Sequence, residues 1–271
     1  MDENIRIGKY TVAFLDILGF KDMVKEIPLE ELVKKYEYVV GQVTDIFNYN
    51  YLVSEGLKSR SIFPNHPIGK PYCTKYIFSD SIILFQNGDT SECCLKLLLH
   101  AWKITQIFLV MGFPIRGAIT HGEIYINNIQ KIFVGKALTA AHSLEQSQDW
   151  IGVSIDNTVL EAYPDLAKLL KNQDSIFYHV FFEYDVPLKD NTVKRMHTLN
   201  WRWNMVVEKG TRSLFPLNKD PKVTRKQENS IRYAKKFVSR KSMYLYGEVP
   251  VEFATLWVGE SEPPFKHGDE L

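Results

Sequence analysis

The chain has 271 residues, of which 45% are hydrophobic, 13% aromatic and 24% charged. This composition supports a packed core and excludes a largely disordered chain, and the length fits one large domain or one domain with an extension. The 33 lysines and arginines balance 32 aspartates and glutamates. The first ten residues lack the apolar run of a secretory signal, and polar residues interrupt the most apolar stretch, Leu95 to Ile115. We therefore expect a soluble, cytoplasmic protein that does not enter a membrane.

The three cysteines, Cys73, Cys93 and Cys94, form no CxxC pair. An odd number of scattered cysteines excludes a disulfide scaffold and argues against structural zinc. We expect the three cysteines to be buried and to act as small hydrophobic side chains. The motifs GxGxxG, GxxxxGK(S/T), HExxH and GxSxG are absent from the sequence, which disfavours dinucleotide, P-loop, zincin and hydrolase sites.

Hydrophobic patterning predicts a strand and then a helix in the first part of the chain. The strand covers Tyr10 to Ile17 and ends at a glycine turn, and Pro28 begins an amphipathic helix. Residues 48–70 are rich in turn formers and are predicted to be a loop insertion. Lys75 to Phe85 is rich in strand-forming residues on both sides of a polar step, Ser79 to Ser81, which predicts a tight hairpin with a polar tip.

A core-facing helix is predicted over Ser91 to Met111, ended by Gly112. The later predicted strands cover Ile115 to Ile126, Ile151 to Ile155, Phe177 to Tyr184 and Met243 to Tyr246, and the later predicted helices cover Lys136 to Ser147 and Asn157 to Leu170. Strands interleaved with helices, including adjacent hairpin strands, predict an α+β fold, a mixed α/β sandwich.

Positive charge is concentrated between Lys209 and Lys241, where eleven lysines and arginines meet two acidic residues. The segment therefore carries +9 and the remainder of the chain −8. Such a segment could bind polyphosphate, nucleic acid or an acidic protein surface. The alternative is a solvated helix face, since apolar residues recur at helical spacing at Val223, Ile231, Ala234 and Val238.

Two aspartates occupy unusual positions. Asp16 interrupts an apolar strand, and Asp80 lies in the polar tip between two apolar runs. A buried and unpaired carboxylate costs several kcal/mol, so each must lie at a strand edge, be paired or bind a metal. Taken alone, each is also explained as a turn or capping residue.

Asp16 is followed by Ile17-Leu18-Gly19-Phe20-Lys21 and then by a helix. A glycine turn into a helix presents backbone N–H groups that can hold phosphate oxygens. A carboxylate beside such a turn suits a hard cation that bridges to polyphosphate, and two carboxylates from neighbouring strands can hold two such ions.

Four segments resemble class III nucleotide cyclases, in the same order along the chain. FLDILGF (Phe14 to Phe20) is similar to their FxDxxGF signature, and FSDS (Phe78 to Ser81) stands at their second metal aspartate. IRGAITHGEIY (Ile115 to Tyr125) resembles their RxGIxxGxV strand, and VGKALTAAHSLE (Val134 to Glu145) falls at their WGxxVNxAxRLE helix. The resemblance spans Tyr10 to about Ile155.

The resemblance implies a ferredoxin-type core with a mostly antiparallel central sheet over residues 1–172. It leaves 173–271 as C-terminal strands and a basic helix, packed on the same domain. It also implies that Asp16, the Ile17 carbonyl and Asp80 hold two Mg²⁺ or Mn²⁺ ions.

The substrate contacts implied by the resemblance are of two kinds. The Gly19 and Phe20 amides and Lys21 would bind the terminal phosphates. Arg116 would bind phosphate or a base carbonyl, and Tyr76 would contact the base. A structural ion pair for Arg116 and a core position for Tyr76 are the alternatives.

The purine-specific residues of the family are absent. Thr139 and Ser143 replace the transition-state Asn and Arg, and Thr74 and Ile132 replace the adenine-reading Lys and Asp. With these replacements and its RGAIxxGE and GKAL segments, the chain resembles the bacterial pyrimidine cyclases of the Pycsar antiphage defence system. Cyclisation of UTP or CTP to cUMP or cCMP is implied, with UTP favoured.

The resemblance further implies a head-to-tail homodimer with shared active sites. One protomer would supply the metal residues, and the other would supply Arg116 or the helix that carries Thr139 and Ser143. Neither nucleic acid nor a membrane is the expected partner. Three alternatives remain open at this point, namely an adenylate or guanylate cyclase with an atypical pocket, a non-catalytic nucleotide-binding dimerisation module, and nucleic-acid binding through Lys209 to Lys241.

Overall fold

The computed structural model describes residues 5–48, 73–172, 177–202 and 220–239. Its strands form one sheet in the order β2-β3-β1-β4-β6-β8-β7, with β5 paired to β4. The strands are β1 (Ile5–Ile17), β2 (Cys73–Phe78), β3 (Ser81–Gln86), β4 (Ile115–Asn127), β5 (Ile132–Val134), β6 (Gly152–Ile155), β7 (Phe181–Pro187) and β8 (Val193–Leu199). Every described strand pair is antiparallel except β4 with β6.

The described helices are α1 (Phe20–Glu26), α2 (Leu29–Asn48), α3 (Ser91–Val110), α4 (Lys136–Ser147), α5 (Asn157–Ala162), α6 (Pro164–Lys171), α7 (Phe177–Val180) and α8 (Pro221–Ser239). The first half of the chain follows a strand-helix-strand-strand-helix-strand order, and its strands lie in space as β2-β3-β1-β4. This is the split βαβ arrangement of ferredoxin-like folds. The predicted α+β class, with a mostly antiparallel sheet and a ferredoxin-type core, is therefore confirmed.

The two faces of the sheet bury different parts of the protein, because successive side chains of a strand point to opposite faces. Ala13, Leu15 and Ile17 of β1 belong to the main core, which also contains α3. Val12 belongs to a smaller apolar cluster that includes Ala137 of α4. By alternation, Asp16 lies on the same face as Val12, the face that α4 covers.

Helix α3 is long and apolar enough to cross a membrane by length and composition alone. Most of its residues are buried inside the described protein, among them Leu95, Ile104 and Phe108. It is a core helix of this fold, and Gly112 follows it in the left-handed conformation (φ 83°), as the predicted stop requires.

Helix α8 confirms the predicted helix in the basic segment. Tyr233 and Ala234 are fully buried, whereas Lys222 and Lys235 are exposed. The Arg225 Nε atom lies 2.5 Å from the carboxylate of Asp149, which is itself buried. One side of α8 therefore packs on the sheet domain and its cationic side is solvated, as the helix-face alternative expects.

Several sequence predictions are corrected. The single helix predicted over Asn157 to Leu170 is two helices, because Pro164 disfavours a helical conformation at Tyr163 (φ −128°, ψ 77°). Phe177 to Val180 forms a helical turn rather than strand, since an apolar run without alternation does not distinguish the two. Strands β5 and β8 and the first five residues of β1 were not predicted. The predicted loop beyond Asn48 and the predicted strand Met243 to Tyr246 lie outside the described residues.

Candidate functional site

Asp16 and Asp80 come together at one end of the sheet. Asp16 is the penultimate residue of β1, and Asp80 lies in the two-residue turn between β2 and β3. The Ile17 amide donates a hydrogen bond to the Asp80 carbonyl at 2.9 Å, and Asp16 is the register partner of Ser81. The antiparallel pairing of β1 with β3 therefore places the hairpin tip, which carries Asp80, beside the end of β1, which carries Asp16.

The half-buried carboxylate of Asp16 has its pKa raised to about 6. Burial is the largest cause, followed by the negative charges of Glu145 and then Asp80, while Arg116 and a hydrogen bond from Ser81 oppose the shift. A carboxyl group that carries this much unfavourable negative potential is a site where a cation would be stabilised.

The donor chemistry of this pair fits a hard divalent cation. Mg²⁺ and Mn²⁺ prefer oxygen ligands, and Mg²⁺ is commonly held by one or two carboxylates together with waters and substrate phosphates. Among the described residues, no group of three or more His, Cys, Asp or Glu could hold a metal ion. Asp16 and Asp80, with the predicted Ile17 carbonyl, would therefore hold ions whose remaining ligands come from water or substrate.

Tyr36 of α2 fastens the hairpin tip and was not singled out for this role from the sequence. Its hydroxyl donates a hydrogen bond to the Ser79 carbonyl at 2.5 Å, and its ring packs against Phe20 and Phe113. Burial raises the pKa of this phenol, and the charge of Asp80 adds to the effect. Tyr36 thus links α1, α2 and the residue before Asp80.

The predicted phosphate turn forms a left-handed step into α1. Gly19 has φ 76°, and its carbonyl accepts hydrogen bonds from the Asp22 and Met23 amides at 3.0 Å each. The Phe20 ring packs on Tyr36, so only its backbone is placed to serve a ligand, while the Lys21 side chain is exposed. Phosphate binding by these residues remains a prediction.

Arg116 lies opposite Asp16 in the β1–β4 register and is 3% exposed. Its Nε donates to Glu145 Oε1 at 2.6 Å, its second terminal nitrogen lies 2.5 Å from the same oxygen, and its NH1 donates to the Gln148 carbonyl at 3.1 Å. This is the ion-pair alternative that the sequence left open. A contact of Arg116 with phosphate or a base stays a prediction and would require the guanidinium to leave these partners.

Tyr76 occupies the smaller apolar cluster. Its hydroxyl donates to Asn128 Oδ1 at 3.0 Å, its ring packs on Phe85 and Phe133, and the Lys131 ammonium lies 4.8 Å from the ring centre. These contacts match the core alternative for this tyrosine. Contact with a base remains a prediction.

Thr139 and Ser143 lie on the exposed side of α4, whereas Ala137, Ala141 and Glu145 are the buried residues of that helix. The Thr139 hydroxyl donates back to the Gly135 carbonyl at 3.2 Å. Within one chain, these two hydroxyls are therefore turned away from the sheet face that carries Asp16. A substrate contact of Thr139 or Ser143 from a second copy remains a prediction.

Glu145 is the site residue that sequence reasoning missed. It is fully buried and pairs with Arg116. The negative charge of Glu145 raises the pKa of Asp16 more strongly than the negative charge of Asp80 raises it. A signal was available, because Glu145 continues the four-residue spacing of Ala137 and Ala141 on the apolar stripe of α4. A carboxylate on such a stripe needs a buried partner.

No protein-family model matches the sequence, and no curated protein matches it. Among solved structures, the chain is similar to the catalytic core of a rhodopsin-guanylyl cyclase with converted specificity in complex with ATPalphaS, with 12% identity over 72% of this chain and 97% of that chain and a TM-score of 0.44. It is also similar to an adenylate/guanylate cyclase/hydrolase from Silicibacter pomeroyi, with 11% identity over 72% of this chain and 96% of that chain and a TM-score of 0.39. Because both TM-scores are below 0.5, these similarities carry no functional argument, and a function has to be argued from the residues of this chain.

Proposed function

We propose that this protein is a metal-dependent nucleotide cyclase that converts a nucleoside triphosphate to its 3′,5′-cyclic monophosphate and pyrophosphate. The observation that supports this most directly is the placement of Asp16 beside the hairpin tip that carries Asp80. These two aspartates belong to two of the four segments that resemble class III cyclases, and they lie 64 positions apart in the sequence.

The chain's own groups have distinct tasks in this reaction. Asp16 and Asp80 would hold Mg²⁺ or Mn²⁺, which would supply a lower pKa for the ribose 3′-hydroxyl and positive charge for the departing phosphates. Tyr36 keeps the Asp80 turn against the end of β1. Lys21 and the backbone amides around Gly19 would receive the terminal phosphates.

In the balanced reaction, the ribose 3′-oxygen forms a bond to the α-phosphorus as the bond from that phosphorus to the pyrophosphate oxygen breaks. The 3′-hydroxyl proton passes to water. Neither His121, which bonds to Thr11, nor His142, which packs on Phe14, is assigned as the base in this proposal. Metal assistance removes the need for a side-chain base.

A pyrimidine substrate, UTP in preference to CTP, is the more specific form of the proposal. The positions at which purine cyclases read adenine hold Thr74, whose hydroxyl donates to Asn87, and the partly exposed Ile132. Neither residue carries a charge. The resemblance to the Pycsar cyclases would make the cyclic product a second messenger in bacterial antiphage defence.

The decisive experiment offers ATP, GTP, UTP and CTP together to the purified full chain with Mn²⁺ and identifies products by mass spectrometry. A cyclic pyrimidine nucleotide is the expected product, and Asp16→Ala or Asp80→Ala should each abolish it. Asp22→Ala is the matched control, since Asp22 is an exposed aspartate on α1 and should leave turnover unchanged. Full turnover in both site variants would contradict the metal assignment, and cyclic AMP or GMP would contradict the pyrimidine assignment.

A second candidate, a non-catalytic nucleotide-binding dimerisation module, is favoured by the state of Arg116. Its guanidinium is committed to Glu145, and Thr139 and Ser143 add no cation to stabilise the transition state. Metal-dependent nucleotide binding without any cyclic product would select this function. Analytical ultracentrifugation with and without nucleotide would then test the predicted homodimer.

A further inference from the structure

Glu145 and Arg116 form a buried ion pair next to Asp16. Glu145 is fully buried, and its Oε1 accepts both Nε and a terminal nitrogen of Arg116. Its Oε2 is buried and has no hydrogen-bond partner in the described structure. Stability alone does not account for such a pair, because well-packed apolar residues of the same volume often serve a core equally well.

Arg116 pairs with Glu145 although Asp16 lies opposite it in the sheet. Arg116 is directly opposite Asp16 in the antiparallel register, and side chains in such positions have Cβ atoms about 4.5–5.5 Å apart. Arginine commonly pairs bidentately with a carboxylate in reach. The guanidinium instead donates to Glu145 and to the Gln148 carbonyl, and the structure records no hydrogen bond or ion pair between Arg116 and Asp16 in its described residues.

We propose that Glu145 is a positioning residue that holds the Arg116 guanidinium off Asp16, so that the Asp16 carboxylate stays available to a divalent cation. This inference rests on the proposed function, because it concerns the same metal site. A guanidinium and a metal ion compete for the same carboxylate oxygens. A guanidinium keeps its positive charge in proteins, so without Glu145 the Arg116 side chain would turn to the neighbouring carboxylate, Asp16.

The test measures Mn²⁺ binding by isothermal titration calorimetry, without nucleotide and without turnover. Glu145→Gln keeps the size of the side chain and removes its charge, and its Mn²⁺ affinity should fall about tenfold or more, as for lost outer-shell partners of metal sites. The double variant Arg116→Gln/Glu145→Gln has no competing guanidinium and should regain wild-type affinity. Glu123→Gln, which breaks the exposed pair with Lys136, is the matched control and should bind as the wild type does.

Each result is decisive. Wild-type affinity in Glu145→Gln overturns the inference, and a double variant that binds as weakly as the single variant shows a packing role and overturns it too. Absence of Mn²⁺ binding by the wild-type protein overturns the inference, whereas the metal-dependent function is decided separately by the product assay with Mn²⁺ and the four nucleotides.

A measurement on the unmutated protein keeps the inference testable if Glu145→Gln fails to fold. A crystal structure of the metal-free wild-type protein should retain the Arg116–Glu145 pair and leave the Asp16 carboxylate without a guanidinium donor. An Arg116 side chain bonded to Asp16 in that crystal would overturn the inference.

Discussion

The hydroxyl of Tyr36 donates a hydrogen bond to the carbonyl of Ser79, the residue that precedes Asp80. Ser79 has a left-handed backbone conformation (φ 54°), which is uncommon for a residue other than glycine. The turn is therefore held from outside by a helix rather than by its own preference. This hydrogen bond, together with the one from the Ile17 amide to the Asp80 carbonyl, holds the turn that carries the Asp80 carboxylate.

We predict that Tyr36→Phe lowers turnover and Mn²⁺ affinity several-fold while the free energy of unfolding falls by only about 1 kcal/mol. The ring contacts with Phe20 and Phe113 remain in this variant, so the change acts on the turn and not on the core. Steady-state kinetics and Mn²⁺ titration, with urea unfolding of the same samples, check both parts.

Tyr38→Phe on the same helix is the control for this prediction. Tyr38 packs at the edge of the main core, and no hydrogen bond of its hydroxyl is recorded among the described residues. It should change neither turnover nor Mn²⁺ affinity. Equal losses in both variants would show that the Tyr36 hydroxyl has no special role at the turn.

The raised pKa of Asp16 predicts that its charge destabilises the folded protein. Its folded-state pKa is about 6, above the ordinary value of 3.8 that applies to the unfolded chain. The folded protein therefore binds more protons than the unfolded chain between about pH 4 and pH 6, and the contribution of Asp16 to stability is lost as the pH rises through that window.

Asp16→Asn should raise the melting temperature at pH 8 in the presence of a chelator and should change it little at pH 4. The gain should grow through the window from pH 4 to pH 6 and level off above it. Thermal unfolding across this pH range measures the effect. A gain that does not depend on pH would show that Asp16 is not the group that titrates.

Local patterns of the sequence predict the site's elements, whereas the long-range contacts between those elements are not local properties. The end of strand β1 and the hairpin tip are local patterns, an apolar run ending at glycine and a polar step between two strands, and both were predicted correctly. Their meeting depends on β3 pairing with β1 across more than sixty residues of chain, which only the resemblance to cyclases anticipated.

An ion pair for Arg116 was left open by the sequence, but Glu145 was not identified as its partner, for a different reason. This pairing requires the register of β4 to be combined with the rotation of α4 above it, and neither is a local property of the sequence.

Strand β8 was not predicted, because Lys194 and Arg195 interrupt the alternation of apolar and polar residues by which a strand is recognised. Both cations are paired in the structure, Lys194 with Asp156 and Arg195 with two carboxylates of β7.

The buried thiols should be chemically inert, as the predicted role of small hydrophobic residues requires. Burial raises the pKa of Cys94 to about 12 and also raises the pKa of Cys73, and all three cysteines are buried and form no disulfide. Thiolate is the reactive form, so Ellman's reagent should label none of the three thiols in the native protein and all three in guanidinium. Fast labelling of the native protein would contradict the buried core positions.

Two glycines offer opposite tests of the packing around β1. At Gly117 in β4, an added Cβ would lie 2.5 Å from Leu15 Cδ2 and 2.7 Å from the Phe14 carbonyl oxygen, so the strand that carries Asp16 would have to shift. We predict that Gly117→Ala costs about 1–3 kcal/mol of stability, in the range typical of overpacking. Turnover should fall as well, because the displaced segment ends in the metal residues.

Gly41, on the exposed side of α2, is the matched control. A Cβ there meets no atom of the described residues within 4 Å beyond its own helix backbone, and alanine is the better helix former by about 0.5–1 kcal/mol. Gly41→Ala should therefore raise the urea midpoint and leave turnover unchanged. The same substitution, glycine to alanine, is thus expected to lower stability at Gly117 and to raise it at Gly41. If Gly117→Ala leaves stability and turnover unchanged, β1 and β4 are not packed as closely as described. That result would contradict the β1–β4 register that places Asp16 opposite Arg116.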